Sequence, residues 1–419
     1  METETELTAP VVYVGFGITA PDFDYDDYAG AEVCGKIVAI LRNAPSTFPS
    51  TARAHYASSS NKARNAASHG AIGIITIQTP EQEEKRPFEK SVRFADYPNV
   101  EWLDSDGAPH GVEPTIRIRL RLSPGATERL FESGPMPLDE VWKSAAADKP
   151  HSFELPVTIR VQITSSHDEI ESPNVVGWIP GSDPELKDEI IVYVAHLDHV
   201  GVGEPENGDH IYNGAYDNAS GVATLIEVAR AFRNMPTPPK RSIVFLAVTG
   251  EEKGLLGSDY FANNPTVEGD IVAALSIDMF LMLYPLHDVV AFGAEHSSLG
   301  SAVKTAATRL RVQLSPDFAP DEVLFVRTDH YPFVKRGIPA LFLVHGTESG
   351  DPEVDGGALM WKWMRDHYHS LTDQMDQKMD FEAGADFARL NFLLGLEVAN
   401  APSRPVWNEG DFFGTKYAR

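Results

Sequence analysis

The sequence predicts an α/β protein built on a mostly parallel sheet covered on both faces, preceded by a smaller α/β or β-rich domain. Three observations carry this. Strand-like and helix-like segments alternate through the later part of the chain. Its strand-like runs are apolar at every position, the mark of a strand buried on both sides. The rhythm also changes near residue 150, after the polar, Pro-containing stretch "ESGPMPLDEVWKSAAADKP", which reads as a connector.

In chain order, "VVYVGFG", "GKIVAIL" and "IGIITI" are β-branched runs bounded by Gly or Pro and read as strands. "NKARNAASHGA" reads as a helix closed by Gly70. "TIRIRLRL" alternates strictly and reads as a strand with one wet face. Beyond residue 150, "EIIVYVAHLDH" is a strand running into a polar loop, "GVGEPENGDHIYNGAY". The helix "GVATLIEVARAF" follows, with Val222, Leu225, Ile226, Ala229 and Phe232 at helical spacing. "SIVFLAV" and "IVAALSID" are strands flanking the helix-like "GLLGSDYFANN". "SSLGSAVKTAATRL" and "IPALFLV" add a further helix and strand.

The chain has 419 residues, enough for two domains. A hydrophobic fraction of 42% is ordinary for a globular protein. Against 35 Lys and Arg stand 61 Asp and Glu, a net charge of −26 that repels nucleic acid and anionic membrane surfaces. The single cysteine, Cys34, excludes an internal disulfide framework and a Cys-based zinc ribbon; beside a strand-like run it reads as a small buried hydrophobe. No stretch is long and apolar enough for a transmembrane helix: "IVAALSIDMFLML" is too short and carries Asp278. The N-terminal "METETELTAP" is polar and acidic, unlike a signal peptide.

Open parallel sheets bind ligands at the carboxyl ends of their strands. Those ends are rich in imidazoles and carboxylates here. His196, Asp198 and His199 follow the first run of the second part; Asp217 opens a helix; Glu251 and Glu252 follow "SIVFLAVTG"; Asp278 ends "IVAALSI"; His367 and His369 lie in "DHYHSLTDQ". Singly, each has a plainer role: Asp217 as an acid at a helix start, or Glu251 and Glu252 as a first-turn acid pair. Asp278 is harder to explain that way, because an unpaired carboxylate in an apolar strand is costly to bury. Jointly they make sense around divalent cations, which render clustered carboxylates tolerable. Histidine and carboxylate without thiolate suit Zn²⁺, with Mn²⁺ or Co²⁺ as substitutes. Five candidate ligands exceed the three of a mononuclear catalytic zinc, so two ions sharing a bridging carboxylate fit better. No G-x-S-x-G elbow or H-E-x-x-H helix is visible.

The ordered blocks "AHLDHVG", "GDHIYNGAYDNASGVA", "TGEEKGLLGS", "SIDM", "TDHYPFVKRGIPA" and "YHS", from His196 to Ser370, resemble the co-catalytic di-zinc exopeptidases. That family includes bacterial secreted aminopeptidases and glutamate carboxypeptidase. "VGFGITAP", "DYDDYAGAEVCGKIVAILR" and "KARNAASHGAIGIITI" resemble the protease-associated domain that accompanies many members. The resemblance implies a protease-associated domain over 1–150 and a di-zinc peptidase domain over 151–419, the latter a mixed, mainly parallel sheet between helices. It also implies two Zn²⁺ ions: one on His196 and Asp278, the other on Glu252 and His369, with Asp217 bridging. Glu251 would be the general base, and Asp198 would orient the His196 imidazole from behind. The peptide Asp217–Asn218 would be cis. In relatives the protease-associated domain is usually inserted after an N-terminal piece of the catalytic domain, whereas here its match begins almost at the first residue.

The implied activity is hydrolysis of the terminal bond of a peptide substrate, with an aminopeptidase favoured and a secreted or periplasmic location. A carboxypeptidase or dipeptidase of the same family would need a basic clamp, for which Arg327 in "FVRTDHYPF" is the candidate. A surface ion pair is the plainer role for that arginine. A one-zinc cyclotransferase like the glutaminyl cyclases, and a non-catalytic binding protein like the transferrin receptor ectodomain, are the other readings. The second predicts lost ligands, and all five are present together with the base.

Overall fold

The computed structural model describes residues 2–85, 87–92, 95 and 97–418. They form two compact units, Met1–Glu171 and Ser172–Arg419.

The first unit is a five-stranded sheet. Its strands are β1 (Glu2–Tyr13), β2 (Ile37–Leu41), β3 (Gly73–Ile77), β4 (Ile118–Arg121) and β5 (Phe153–Ser166), in the order β4-β3-β2-β1-β5. The first four are parallel, and β5 runs antiparallel to β1. Helix α1 (Ser59–Ser68) ends as expected before Gly70, whose φ of +83° suits a residue without Cβ.

Four expectations change here. The unit ends after Glu171, not near 150, because β5 pairs with β1 along almost its whole length. The "connector" contains helix α2 (Leu138–Ala146), which buries Val141 and Ala145. Only Ile118–Arg121 of the alternating "TIRIRLRL" run is paired. Cys34 is exposed, because it sits in the turn before β2 rather than on the strand.

The second unit holds the predicted mixed, mainly parallel sheet. Its strands are β6 (Val175–Ile179), β7 (Glu189–His196), β8 (Ser242–Val248), β9 (Asp270–Ser276), β10 (Asp288–Phe292), β11 (Gln313–Ser315) and β12 (Ala340–His345). They lie in the order β11-β10-β12-β9-β7-β8-β6. β8, β7, β9 and β12 are mutually parallel, whereas β6 and β10 run antiparallel to their neighbours β8 and β12. The continuous apolarity of β7 is now explained. Ile191, Tyr193 and Ala195 face one core, with helix α3 (Ser220–Arg233) and helix α4 (Phe381–Asn400). Ile190, Val192 and Val194 face the opposite core, with Phe261, Phe333 and Phe413. Successive strand residues point to opposite faces, so a sheet covered twice needs apolar side chains at every position.

α3 buries Leu225, Val228 and Phe232 but leaves Ile226 47% exposed, so its buried face is narrower than the spacing suggested. The stretch read as a loop after β7 is a hairpin, Gly201–Glu206 with Asp209–Tyr212. Its turn is Asn207–Gly208, both at positive φ, the Asn-Gly pair that two-residue hairpins favour. Among the described residues no helix is long and apolar enough to cross a membrane.

His330 has no exposed surface and lies among Phe325 and Phe342. Burial pushes its pKa down from 6.5 to about 3. Between those values the unfolded chain binds a proton that the folded chain refuses. The contribution of this group to stability is therefore intact above pH 6.5 and falls as the pH drops toward 3. His330→Leu should flatten this acid limb by about 1 kcal/mol per pH unit below 6.5, read from urea unfolding at several pH values. Identical pH profiles for variant and parent would show that another group carries the limb.

Candidate metal centre

Three adjacent strands deliver the centre. In the parallel registers of β7, β8 and β9, Val248 lies opposite His196 and Ser276 opposite Val194, so β7 and β8 end level and β9 ends two residues before them. His196 is the last residue of β7. Gly250, at φ +69°, turns the chain after β8 and presents Glu251 and Glu252. Asp278 follows β9 by two residues. Asp217 lies in the irregular turn Ala215–Ala219 ahead of α3, and the Asp217–Asn218 peptide is cis, as expected. His369, in the loop after the helix Gly356–Asp366, has φ +52°, a left-handed conformation that a residue with Cβ holds only at a cost.

The five expected ligands converge. His196 Nε2 lies 3.3 Å from Asp217 Oδ1 and 3.2 Å from Asp278 Oδ1. His369 Nε2 lies 3.3 Å from Asp217 Oδ2 and 3.1 Å from Glu252 Oε2. Asp217 thus presents one oxygen to each imidazole. These separations match the edge of a tetrahedron whose ligand bonds are about 2.0–2.1 Å, roughly 3.3–3.4 Å. The Nδ1–H of His196 donates to the Asp198 carbonyl at 3.0 Å, which assigns the lone pair to Nε2, facing two carboxylates. A lone pair aimed at anions needs a cation or a proton between them. The donor set of nitrogen and oxygen therefore fits two divalent ions sharing Asp217.

Charge and burial interact strongly here. Burial would lower the pKa of His196, but Asp278 and Asp217 hold it well above its ordinary value. Burial likewise opposes the charge on His369, but Asp217 and Glu252 raise it to about 9. Burial favours the neutral form of Asp217, yet hydrogen bonds from His196 and His369 keep its carboxyl below the usual range. Glu251 differs. Burial pushes its pKa well above the ordinary value and Asp278 adds to the effect, although His196 pulls the other way. Glu251 groups with His196 and Asp278, whereas Glu252 groups with Asp217 and His199, so the two adjacent glutamates face different sides of the site.

The surrounding residues hold these groups in place. Asp198 orients His196 with its backbone carbonyl. Its carboxylate instead accepts the backbone N–H groups of Glu251 and Glu252 at 3.1 and 3.2 Å. Asn218 donates to the Ile277 carbonyl at 3.0 Å and accepts from the Met279 N–H at 3.2 Å, bracketing Asp278. Asp373, buried, accepts the N–H groups of Tyr216 and Asp217 at 2.9 and 3.1 Å. Arg327 is 41% exposed at its side chain and pairs with Glu322 at 3.2 Å.

Two residues escaped notice in the sequence, Tyr368 and Asp373, and a third, His199, was noticed but given no role. Tyr368 stacks on His369, with ring centroids 3.8 Å apart. Its phenol pKa is raised by burial and then by Asp217 and Glu252. Asp373 gave no signal, because the backbone N–H groups it accepts, on Tyr216 and Asp217, lie more than 150 residues away. His199 was visible beside His196, but nothing in a linear sequence shows that its ring turns inward to Glu252 Oε1, 3.0 Å from Nδ1.

The family model described as "Peptidase family M28" matches residues 174–393, and that of the PA domain matches residues 7–107. Among curated proteins, the chain is 27% identical to a probable leucine aminopeptidase 2 of Aspergillus fumigatus over 230 residues, covering 52% of this chain and 43% of that one. It is 25% identical to a probable zinc metalloprotease of Leptosphaeria maculans over 286 residues, covering 61% and 62%. The chain thus spans about half the length of the curated relatives it matches. Among solved structures, an aminopeptidase from Aneurinibacillus sp. strain AM-1 aligns over 96% of this chain and 77% of its own, with 20% identity and a TM-score of 0.49. With the family model spanning more than half of its residues, from the first strand of the second unit through most of α4, the chain belongs to peptidase family M28 and carries a PA domain ahead of its peptidase domain.

Proposed function

We propose that the protein is a zinc-dependent exopeptidase that removes residues from the amino end of peptides. The observation that carries this reading is the double cluster on Asp217: His196 and Asp278 on one side, Glu252 and His369 on the other, with Glu251 beside the first. His196 and Asp278 would hold one ion, Glu252 and His369 the other, and Asp217 would bridge them. When bound, the ions supply electrophilic assistance at the scissile carbonyl and make water held there more acidic.

Glu251 would act as the general base, taking a proton from the attacking water on its carboxylate and giving it to the departing amine. Asp198 fixes the backbone of Glu251, and Asn218 and Asp373 fix the two aspartates, so the groups need little rearrangement during reaction. Tyr368, stacked on His369, holds that imidazole against Asp217 and Glu252.

Support for the amino end comes from a relative named as an aminopeptidase, the probable leucine aminopeptidase 2 of Aspergillus fumigatus. Arg327, the candidate clamp for an α-carboxylate, is already paired with Glu322.

The test is a panel of dipeptides with free, N-acetylated or C-amidated ends, with metal content measured in parallel. Free and C-amidated substrates should be cleaved and N-acetylated ones spared, with activity lost on complete chelation. Cleavage of N-acetylated but not C-amidated peptides would reverse the assignment of the end. Full activity without metal would overturn the mechanism, and a single bound zinc would favour the cyclotransferase reading.

A further inference from the structure

We propose that His199 is an additional protein ligand, through Nδ1, to the metal held by Asp217, Glu252 and His369; this rests on the two-ion reading above. The five ligands already named leave this third imidazole without a role, yet the structure buries it in their midst. Its side chain is 5% exposed, and Nδ1 lies 3.0 Å from Glu252 Oε1 and 3.6 Å from Asp217 Oδ2. Despite the short distance, neither His199 nitrogen makes a hydrogen bond, and neither does Glu252 Oε1. The carboxylate oxygen is close in distance but off the direction in which the ring N–H would point. Two unpaired nitrogens in a buried imidazole cost about 1–3 kcal/mol each, unless something else engages them.

The surroundings hold the ring in that position. A Cβ at Gly214 would fall 2.7 Å from His199 Cγ and 2.2 Å from the Asp217 carbonyl, so the imidazole is seated directly on glycine backbone. His369 meets it edge to face, with centroids 5.5 Å apart and planes at 81°. Two imidazoles therefore approach the same carboxylate pair, Asp217 and Glu252, from different directions rather than stacking. Such an approach suits two ligands of one ion. His199, Asp217 and Glu252 also place one donor atom each within 4.8 Å of one another. A ligand role gives Nδ1 a partner and gives the second ion one protein ligand more than the first, which leaves the first the more open of the two.

A hydrogen bond from His199 to Glu252 would also weaken metal binding if removed, because residues behind a ligand change affinity by about 10–100-fold. The experiment must therefore read the ligand field as well as the affinity. The full chain is stripped of metal and titrated with Co²⁺, following visible absorption and bound metal per chain, in the parent, His199→Ala and His199→Asn. Circular dichroism of each metal-free variant checks folding, and the asparagine keeps a polar side chain if alanine disrupts the fold. The expected result is two Co²⁺ in the parent. In the variants, one site should be weakened by at least about tenfold with an altered absorption band, and the other unchanged. Two ions bound with parental affinity and spectrum would overturn the ligand role and leave the two-ion reading standing. Weakened binding with an unaltered spectrum would also overturn it, in favour of a positioning role. A parent that binds no divalent ion would overturn the two-ion reading itself, and this inference with it.

Discussion

Glu251→Gln should bind its full complement of metal and turn over about 10²–10⁴-fold more slowly. Glutamine keeps the size of the side chain and its hydrogen-bonding oxygen, but it cannot take a proton from water. The backbone would not move, because the anchor is the Glu251 N–H on Asp198 Oδ1, which the substitution leaves intact. The result discriminates because Glu251 stands close enough to His196 and Asp278 to act as a ligand itself. Loss of one ion together with activity would make Glu251 a ligand and would move the base to another carboxylate. Near-normal turnover would show that the proton-transfer assignment is wrong. Metal content by elemental analysis and kcat on a free-ended dipeptide are the two measurements.

Asp217→Asn is the second large effect, and it should act through metal. The two carboxylate oxygens of Asp217 lie 3.3 Å from His196 Nε2 and from His369 Nε2 respectively. An amide keeps one acceptor and turns the other position into a donor, which opposes a cation. We expect the bound metal to fall from two ions to one or none, with activity lost in parallel. Ions that bind only the folded state stabilise it by RT ln(1 + [L]/Kd), about 2.7 kcal/mol at a free concentration of 100 Kd. The melting temperature in excess zinc should therefore drop by several degrees relative to the parent. Chelation should remove the metal-derived part of that difference. Two ions held with parental affinity would show that Asp217 does not bridge.

The fold of the second unit was legible because its information is local. The unbroken apolar interiors of β7, β8 and β9 report burial on both faces, and helical spacing reports the segments between. The parallel order then brings the strand ends to one edge of the sheet, so His196, Glu252 and Asp278 were identifiable as residues following apolar runs. The motif resemblance added Asp217 and His369, which lie in loops where periodicity carries no information.

What escaped the sequence depended on partners far away in the chain. β5 alternates polar and apolar residues from Phe153 onward, but its membership of the first unit is decided by β1, some 150 residues earlier. Cys34 lies next to an apolar strand, yet its exposure is set by a turn that ends before the strand begins. Asp198 meets the His196 ring through its carbonyl, while its carboxylate accepts two backbone N–H groups from the turn after β8. The direction of His199 is likewise fixed by Gly214 beneath its ring and by Glu252 from another strand. The sequence by itself therefore determined which segments are strands and helices and which residue types meet at the sheet edge, since pattern and composition are properties of neighbours in the chain. Only the tertiary structure decided where the first unit ends, which oxygen faces which nitrogen, and that a third imidazole lies against Glu252 and Asp217, since each of these depends on a contact between segments that the chain keeps far apart.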